Sequence, residues 1–390
     1  AEKYGLVCIY LTFVLHFCLN AMNSNNNIIF DGPITKNNTI IKILSSLRSK
    51  QKIYINSKEI GTGLGASILF NIKKKNNLFL TEVLPDNKIN YEHYYDLWFN
   101  QVKEKKLVKE EVIPSGHQPD DYIVERLNCD SHDGRKIPLT ITRHKKTKLD
   151  GTANLLLYAY GCYGASMGPG FSSSRLSLIN RNIIWVTAHI RGGMERGMSW
   201  WKEGKMLNKK NTFEDYISSA KFLIEKKYTG KGKIIGMGGS AGGLLMGAVV
   251  NQAPELFLGM IMTVPFVDTL TTNLNHLLPL TVGEFNEFGN AKENKEHFDY
   301  IRSYSPYENI KKMDYPHIFI TTSLSDNRVL FDEPTKYIAK LRDYKTDNNL
   351  LLLKTEMKAG HAGKTGRDSA IEEIALDYAF ALKISEKLNT

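Results

Sequence analysis

The chain has 390 residues, of which 42% are hydrophobic and 24% are charged. These proportions are typical of globular proteins and exclude a collagen, a coiled coil and a wholly disordered chain. The formal net charge of +10 is small for this length, and the sequence contains no zinc-finger, RRM or KH signature. Nucleic acid is therefore not expected as the main partner.

The four cysteines, Cys8, Cys18, Cys129 and Cys162, share no C-x-x-C spacing. In a chain of this length they are expected to be free thiols in a reducing compartment. The ten histidines form neither an H-E-x-x-H motif nor a His/Cys cluster at ligand spacing. The sequence therefore predicts no metal site.

Residues 1–22 contain a strongly apolar run from Tyr4 to Cys18. Its 15 residues are short for a membrane-spanning helix. Three interpretations stay open: the core of a signal peptide, a marginal membrane anchor, or buried strands of a domain whose start is absent. Ala1 in place of Met indicates a chain that begins within a longer protein or after processing.

Residues 23–112 are rich in Asn, Lys and Ile, with short apolar runs at 53–55, 66–70 and 78–80. Short β-branched and aromatic runs between polar turns predict short β-strands, and partial disorder is the alternative. This segment is expected to be β-rich.

Residues 113–390 have a different pattern. Short, nearly continuous apolar runs are typical of strands buried on both faces of a parallel sheet, and they occur at 155–158, 183–186, 233–237, 259–264 and 317–322. Helices are predicted at 212–226, 241–251, 333–342 and 370–388, the first begun by a capping box of Thr212 and Asp215. The alternation predicts an α/β domain whose mostly parallel sheet has flanking helices.

The clearest chemical signal is G-x-S-x-G at Gly238 to Gly242, between a predicted strand and a predicted helix. In this setting a strained turn projects the Ser240 hydroxyl above the sheet, and small residues two positions away avoid collision with neighbouring backbone. The N-terminus of the following helix favours negative charge at the site. Ser240 is therefore the predicted nucleophile.

A nucleophilic serine needs a base and an orienting carboxylate, which follow it in the chain order Ser, Asp, His in such folds. Asp326 comes after the predicted strand at 317–322, at the sheet edge where α/β sites form. His361 lies in a glycine-flanked loop after a predicted strand at 350–354. The oxyanion needs two donors, and we expect the Ala241 N–H and a group from the loop at 158–164, where a Tyr hydroxyl can donate.

From about Leu97 to the end, roughly three quarters of the chain, the sequence resembles the prolyl oligopeptidase family of serine peptidases, its oligopeptidase B branch in particular. The matching motifs are YAYGCYGAS (158–166), HIRGGME (189–195), KNTFEDY (210–216), GGSAGG (238–243), VPFVD (264–268), LTVGEF (280–285), YSP (304–306) and GH (360–361). The resemblance implies an α/β-hydrolase fold, with residues 23–112 as a small β-rich remnant of an N-terminal propeller.

The resemblance also implies a cytosolic endopeptidase that cleaves short peptides after Arg or Lys without a cofactor. Ser240 would be the nucleophile, His361 the general base and Asp326 its orienting acid. Tyr160 would donate to the oxyanion beside the Ala241 amide. It further implies that Arg328 binds a substrate carbonyl and that Glu284 receives the P1 guanidinium in a bidentate contact, P1 being the residue that supplies the cleaved carbonyl.

Three departures from the family pattern weaken parts of this expectation. Asn286 stands where a second acid is expected, and Gly168 and Gly170 stand where acids would face a second basic residue. About a hundred N-terminal residues cannot hold a whole propeller. The alternatives are an inactive or weakly active remnant and a less selective esterase of the same fold. A membrane role is not expected, although the apolar N-terminus leaves secretion or anchoring open; the oligomeric state is not predicted.

Overall fold

The computed structural model describes residues 2–56, 80–86, 88–103, 113 and 116–387. Two compact units are present, Ala1–Val112 and Ile113–Thr390. Their boundary coincides with the change in sequence pattern at residue 112.

The described part of the first unit contains three helices and a three-stranded sheet. The helices are α1 (Glu2–Ala21), α2 (Asn38–Leu47) and α3 (Tyr91–Lys103), and the strands are β1 (Ile28–Phe30), β2 (Ile53–Asn56) and β3 (Leu80–Glu82). Strand β2 pairs parallel with β1 and antiparallel with β3. A 3-10 turn covers Gly32–Lys36.

The expectation of a β-rich segment is not met in these described residues, where helices are longer than strands. The reason is the spacing of apolar residues in α2, which buries Ile40, Ile41 and Leu44 on one face. The parallel pairing of β1 with β2 also differs from the antiparallel sheets of a propeller blade. The predicted strand at 66–70 lies outside the described residues.

The apolar N-terminus forms a helix, so its interpretation as strands is wrong. Phe13 of α1 is buried in a cluster with Ile43 and Leu47 of α2, against which Tyr95 and Trp98 of α3 pack. The stretch Tyr4–Ala21 is the single helix among the described residues that is long and apolar enough to cross a membrane, and 17% of it is buried. Signal sequences meet the same criterion.

The second unit contains an eight-stranded sheet. Its strands are β4 (Tyr122–Asp130), β5 (Lys136–His144), β6 (Leu155–Tyr158), β7 (Ile184–Ala188), β8 (Ile234–Gly239), β9 (Phe257–Thr263), β10 (His317–Ser323) and β11 (Leu351–Glu356). Their order is β11-β10-β9-β8-β6-β7-β5-β4, and β5 alone runs opposite to the rest. The predicted mostly parallel sheet is confirmed.

Helices flank this sheet on both faces. They are α4 (Ser173–Ile179), α5 (Met198–Lys202), α6 (Lys210–Glu225), α7 (Ala241–Gln252), α8 (Thr269–Leu274), α9 (Thr281–Phe288), α10 (Lys295–Arg302), α11 (Asp332–Tyr344) and α12 (Arg367–Ile384). Short 3-10 turns cover Pro119–Asp121, Met206–Asn208 and Pro254–Leu256.

Alternate side chains of the central strands enter two separate cores. Leu155 and Leu157 join the larger core on one face, and Leu156 joins the smaller core under α12 on the other. Because both faces are covered, these strands read as unbroken apolar runs. Parallel strands bring their carboxyl ends to one edge, and there the chain leaves β8 at Ser240, β10 before Asp326 and β11 before His361.

The predicted capping box of Thr212 and Asp215 is wrong. Helix α6 begins at Lys210, and the Thr212 hydroxyl donates to the carbonyls of Arg191 and Gly204 instead. The buried Asp215 carboxylate accepts from the Arg191 side chain at 2.6 and 2.9 Å and from the Arg191 backbone N–H at 2.9 Å. The Asp215 carboxylate therefore binds the buried Arg191 guanidinium, 24 residues earlier in the chain, and does not cap the helix.

This ion pair holds the loop after β7 in place. The Arg191 guanidinium, 1% exposed, also contacts Asp133 at 2.5 Å in the turn between β4 and β5. Thus one side chain joins helix α6, the β4–β5 turn and the loop that follows β7.

We expect Asp215→Asn to destabilise the second unit by about 3 kcal/mol, because it removes the buried carboxylate and leaves the buried Arg191 charge with the more exposed Asp133. Urea unfolding followed by tryptophan fluorescence measures the change. The matched control is Asp299→Asn, which breaks the exposed pair of Lys295 and Asp299 and should change stability by less than about 0.5 kcal/mol. Equal effects of the two substitutions would contradict a structural role for the buried pair.

Candidate active site

Ser240 occupies a strained turn between β8 and α7. Its backbone has φ of 55° and ψ of −121°, a region that residues other than glycine rarely adopt. Hydrogen bonds hold both sides of the residue: its N–H donates to the Thr263 carbonyl at 2.8 Å, and its carbonyl accepts from the Phe266 N–H at 3.0 Å. This geometry is the predicted nucleophile turn.

The glycines around Ser240 are required by close backbone approach. A Cβ on Gly238 would lie 2.4 Å from the Gly242 carbonyl oxygen. A Cβ on Gly242 would lie 3.2 Å from the carbonyl oxygen of Ala159, within the loop that follows β6. A side chain at Gly238 would therefore collide with the turn itself, and one at Gly242 would press against the loop after β6.

The three residues predicted as a triad form one hydrogen-bonded chain. His361 Nε2 lies 3.0 Å from the Ser240 hydroxyl, and His361 Nδ1 lies 2.7 Å from Asp326 Oδ2. With the proton on Nδ1, the histidine donates to the carboxylate and its Nε2 accepts from the serine hydroxyl. This is the tautomer in which a histidine can act as a general base.

Asp326 is held as an acceptor by backbone groups. Its side chain is fully buried, and its other oxygen, Oδ1, accepts from the N–H groups of Arg328 at 2.8 Å and Val329 at 3.0 Å. With His361 Nδ1, three donors therefore hold this carboxylate in one orientation. The turn after β10 thus fixes the group that orients His361.

The two candidate oxyanion donors lie beside Ser240. Ala241 is the first residue of α7, so its N–H has no acceptor within the helix. The Tyr160 phenol lines the same pocket as Ser240. Burial raises the pKa of Tyr160 above its usual range, which keeps the phenol protonated and able to donate.

A pocket of about 310 Å³ opens in front of the serine. Five of the seven residues predicted for the site line it: Tyr160, Ser240, Ala241, Glu284 and Arg328. Asp326 and His361 complete the hydrogen-bonded chain from Ser240. The pocket's remaining lining residues are Tyr163, Phe266, Leu280, Gly283 and Val329.

Glu284, on helix α9, supplies the carboxylate of this pocket. Burial raises its pKa, a nearby Glu287 adds to the rise, and a hydrogen bond from the Tyr163 hydroxyl at 2.7 Å opposes it. Sequence reasoning did not single out Tyr163. Its position in the same Tyr- and Gly-rich loop as Tyr160 was the available signal.

Asn286 and Glu287 have roles other than lining the pocket. Asn286 is exposed and accepts from Lys205 at 3.0 Å. Glu287 is buried and accepts from the Tyr163 N–H at 2.9 Å and the Trp201 indole at 2.8 Å. Glu284 is therefore the carboxylate that remains to meet a ligand in the pocket. Gly168 lies in the wall of a neighbouring pocket, and Gly170 lies close to it in the loop that precedes α4.

A smaller cavity of about 160 Å³ lies behind His361. Asp377 and Glu373 of α12 line it, and Glu373 also accepts from the Lys364 N–H at 3.0 Å in the loop that carries His361. Burial, with a contribution from Glu373, raises the pKa of Asp377 to about 7. Among the residues described, no group of three or more His, Cys, Asp or Glu could hold a metal ion.

Comparison with known proteins places this site in context. The family model of the prolyl oligopeptidase family matches residues 169–387, and that of the C-terminal domain of FGGY carbohydrate kinases matches residues 1–77. Dipeptidyl aminopeptidase BI of Pseudoxanthomonas mexicana is 45% identical over 72% of this chain, and Protease 2 of Moraxella lacunata is 45% identical over 72%.

The solved structure of oligopeptidase B from Leishmania major covers the same share of the chain. It matches 72% of this chain at 41% identity with a TM-score of 0.70. The aligned region is 39% of that structure's chain. This chain likewise spans 38% and 41% of the lengths of the two curated relatives.

We expect the buried Asp377 to make stability fall as pH rises. Its pKa is raised in the folded chain, so the unfolded chain loses this proton first and stability is lost between about pH 4 and 7. Asp377→Asn stays neutral and removes the loss. Its advantage over the unchanged chain should grow from near zero at pH 4 to the order of 2–4 kcal/mol at pH 8 in urea unfolding. The exposed Glu372→Gln is the control, and a pH-independent difference for Asp377→Asn would contradict this assignment.

Proposed function

Since the chain belongs to the prolyl oligopeptidase family of serine peptidases, we propose that it hydrolyses short peptides after Arg or Lys through an acyl-enzyme. The observation that carries the proposal is the hydrogen-bonded chain from Ser240 through His361 to Asp326, with the Glu284 carboxylate in the pocket in front of the serine. The first supports acyl transfer and the second supports a basic P1 residue.

Acylation follows from the positions of the protons. Ser240 Oγ attacks the peptide carbonyl carbon while its proton passes to His361 Nε2, and Asp326 stays ionised and stabilises the imidazolium. The carbonyl oxygen becomes an oxyanion that accepts from the Ala241 N–H and the Tyr160 hydroxyl. His361 then gives its proton to the leaving amine as the C–N bond breaks.

Deacylation uses the same groups with water as the nucleophile. A water molecule replaces the amine, gives a proton to His361 Nε2 and attacks the ester carbon. Collapse of the second oxyanion returns the proton to Ser240 and releases the acid.

The P1 side chain would enter the pocket beside Glu284. Burial makes the isolated carboxylate costly, as the raised pKa of Glu284 records, and a bound guanidinium or ammonium would offset that cost. Tyr163 fixes the carboxylate through Oε1. Arg328, exposed at the pocket mouth, is proposed to donate to a substrate carbonyl.

We also propose the cytoplasm as the compartment. The support is chemical: all four cysteines are free, and three of them, Cys8, Cys129 and Cys162, are buried. Free thiols persist in reducing compartments.

We expect a fluorophosphonate probe to label the chain at Ser240 and Ser240→Ala to abolish labelling. The same substitution should lower kcat for an Arg-P1 amide substrate by on the order of 10⁴ or more, since it removes the nucleophile. Ser303→Ala, an exposed serine on α10's C-terminal side, should leave both unchanged. Turnover that survives Ser240→Ala would refute the mechanism, and turnover of esters without amides would favour an esterase.

We expect Glu284→Gln to lower kcat/KM about 10²-fold for a substrate with Arg at P1, because a half-buried charge pair is lost. A substrate with citrulline at P1, which has the shape of Arg without its charge, should be affected much less. Glu293→Gln serves as the control, because it makes the same substitution at an exposed glutamate. Equal losses on the Arg and citrulline substrates would remove Glu284 from the P1 pocket.

A further inference from the structure

A second pocket, of about 340 Å³, lies near the carboxyl ends of β6, β7 and β8. Hydroxyl groups dominate its polar lining, together with one guanidinium. The residues that matter for what it could bind are Tyr158, Ser172, Ser174, Arg175, Trp185 and Tyr378.

Arg175 gives this pocket a positive charge. Its guanidinium carbon lies 4.7 Å from the centre of the Trp185 ring, and one of its NH groups donates to the Gly170 carbonyl at 3.1 Å. It forms no ion pair with any residue that the structure describes. A stacked and oriented guanidinium with free donors is well suited to a carboxylate, which it can bind through two parallel hydrogen bonds.

The pocket wall carries no carboxylate among its described residues. The segment from Ser166 to Gly170 is uncharged, and Gly168 contributes only backbone to the wall. The nearby Glu195 accepts a hydrogen bond from the Met167 N–H at 2.8 Å, and Asp377 lines the cavity behind His361. Arg175 is therefore the one charged side chain among the described residues of the pocket wall, and it favours anions.

One loop forms a wall of both this pocket and the active-site pocket. Tyr160 and Tyr163 line the active site, and Ser166 and Gly168 line the second pocket a few residues later. His361, which must protonate the leaving amine, is not among the residues that line the second pocket. With P1 beside Glu284 and the leaving amine at His361, the shared loop is the wall along which the acyl portion of a peptide would run toward the second pocket.

We propose that this second pocket is a substrate subsite in which Arg175 binds the carboxylate of an acidic side chain on the acyl side of the cleaved bond. The inference rests on the proposed peptidase function. It makes the chain select a basic residue at P1 together with an acidic residue one or two positions earlier, at P2 or P3.

Paired peptides test the subsite. Substrates with Arg at P1 and either Glu or Gln at P2, and the same pair at P3, are compared by kcat/KM. We expect the Glu member of one pair to be preferred about tenfold, as for one charge-assisted contact, and Arg175→Gln to bring that ratio to about one. The exposed Arg302→Gln should leave the ratio unchanged. No Glu preference at either position, or a preference that persists in Arg175→Gln, would overturn the proposal.

A second variant tests the same charge without removing Arg175. A Cβ on Gly168 would have only the Gly170 backbone N within 4 Å, at 4.0 Å, so a side chain fits there. Gly168→Asp places a carboxylate in the wall and should abolish or reverse the preference for Glu, whereas Gly168→Asn should preserve it. Identical ratios in these two variants would contradict an electrostatic subsite.

Binding without turnover separates this proposal from the proposed function. Two peptide pairs are titrated calorimetrically into Ser240→Ala and into Ser240→Ala with Arg175→Gln: acetyl-Glu-Arg-amide with acetyl-Gln-Arg-amide, and acetyl-Glu-Ala-Arg-amide with acetyl-Gln-Ala-Arg-amide. Tighter binding of the Glu member of one pair, lost in the double variant, supports the subsite even if the unchanged chain hydrolyses nothing. Hydrolysis by the unchanged chain together with equal binding within both pairs would overturn the subsite and leave the peptidase proposal intact.

Discussion

The conformation of Ser240 is the constraint on which the site depends. A residue with a side chain at φ of 55° stores strain on the order of 1–3 kcal/mol, and such strain persists only where surrounding contacts fix it. Here strand β9 and the segment after it supply those contacts, through the Thr263 carbonyl and the Phe266 N–H. Because the same turn starts helix α7, it aims both the serine hydroxyl and the free Ala241 N–H into one pocket. The proposed nucleophile and one proposed oxyanion donor are thus positioned by a single backbone geometry.

The other candidate oxyanion donor, Tyr160, is held in place by a separate set of contacts. The loop that carries Tyr160 packs so closely on the loop after β7 that a Cβ on Gly192 would lie 1.9 Å from the Gly161 carbonyl oxygen. The buried Lys209 ammonium donates to that carbonyl at 2.6 Å. The loop after β7 is fixed in turn by the Arg191–Asp215 pair. Two buried cations, each satisfied by several acceptors, therefore determine where the Tyr160 phenol lies.

Local patterns in the sequence predicted most of the second unit. The parallel strands are buried on both faces and read as apolar runs, and the glycines beside Ser240 mark the turn after β8. Chain order then located Asp326 and His361. The roles of Asp215 and Tyr163 could not be read in this way, because their partners lie far along the chain: Asp215 pairs with Arg191, and Tyr163 binds Glu284 across 121 residues.

The first unit was predicted less well from the sequence. Its strands have three or four residues, too few for an alternating pattern, whereas the apolar face of α2 spans the helix. The predicted strand at 53–55 is present as β2, but the Asn- and Lys-rich composition concealed the apolar face of α2, so the segment was expected to be β-rich. Periodicity within a helix was the more reliable signal here, since burial of Ile40, Ile41 and Leu44 follows from it directly.

The loop at 160–168 joins these observations to specificity. At its start Tyr160 lines the pocket of Ser240, in its middle Tyr163 donates to Glu284, and at its end Gly168 adds no charge to the wall that contains Arg175. A carboxylate and a guanidinium thus stand in two pockets that share this loop as a wall. If both groups bind substrate as proposed, a peptide would have to present opposite charges in a set order while its carbonyl lies against Tyr160 and the Ala241 N–H. Charge order along the substrate, rather than a single basic residue, would then determine which bond is cleaved.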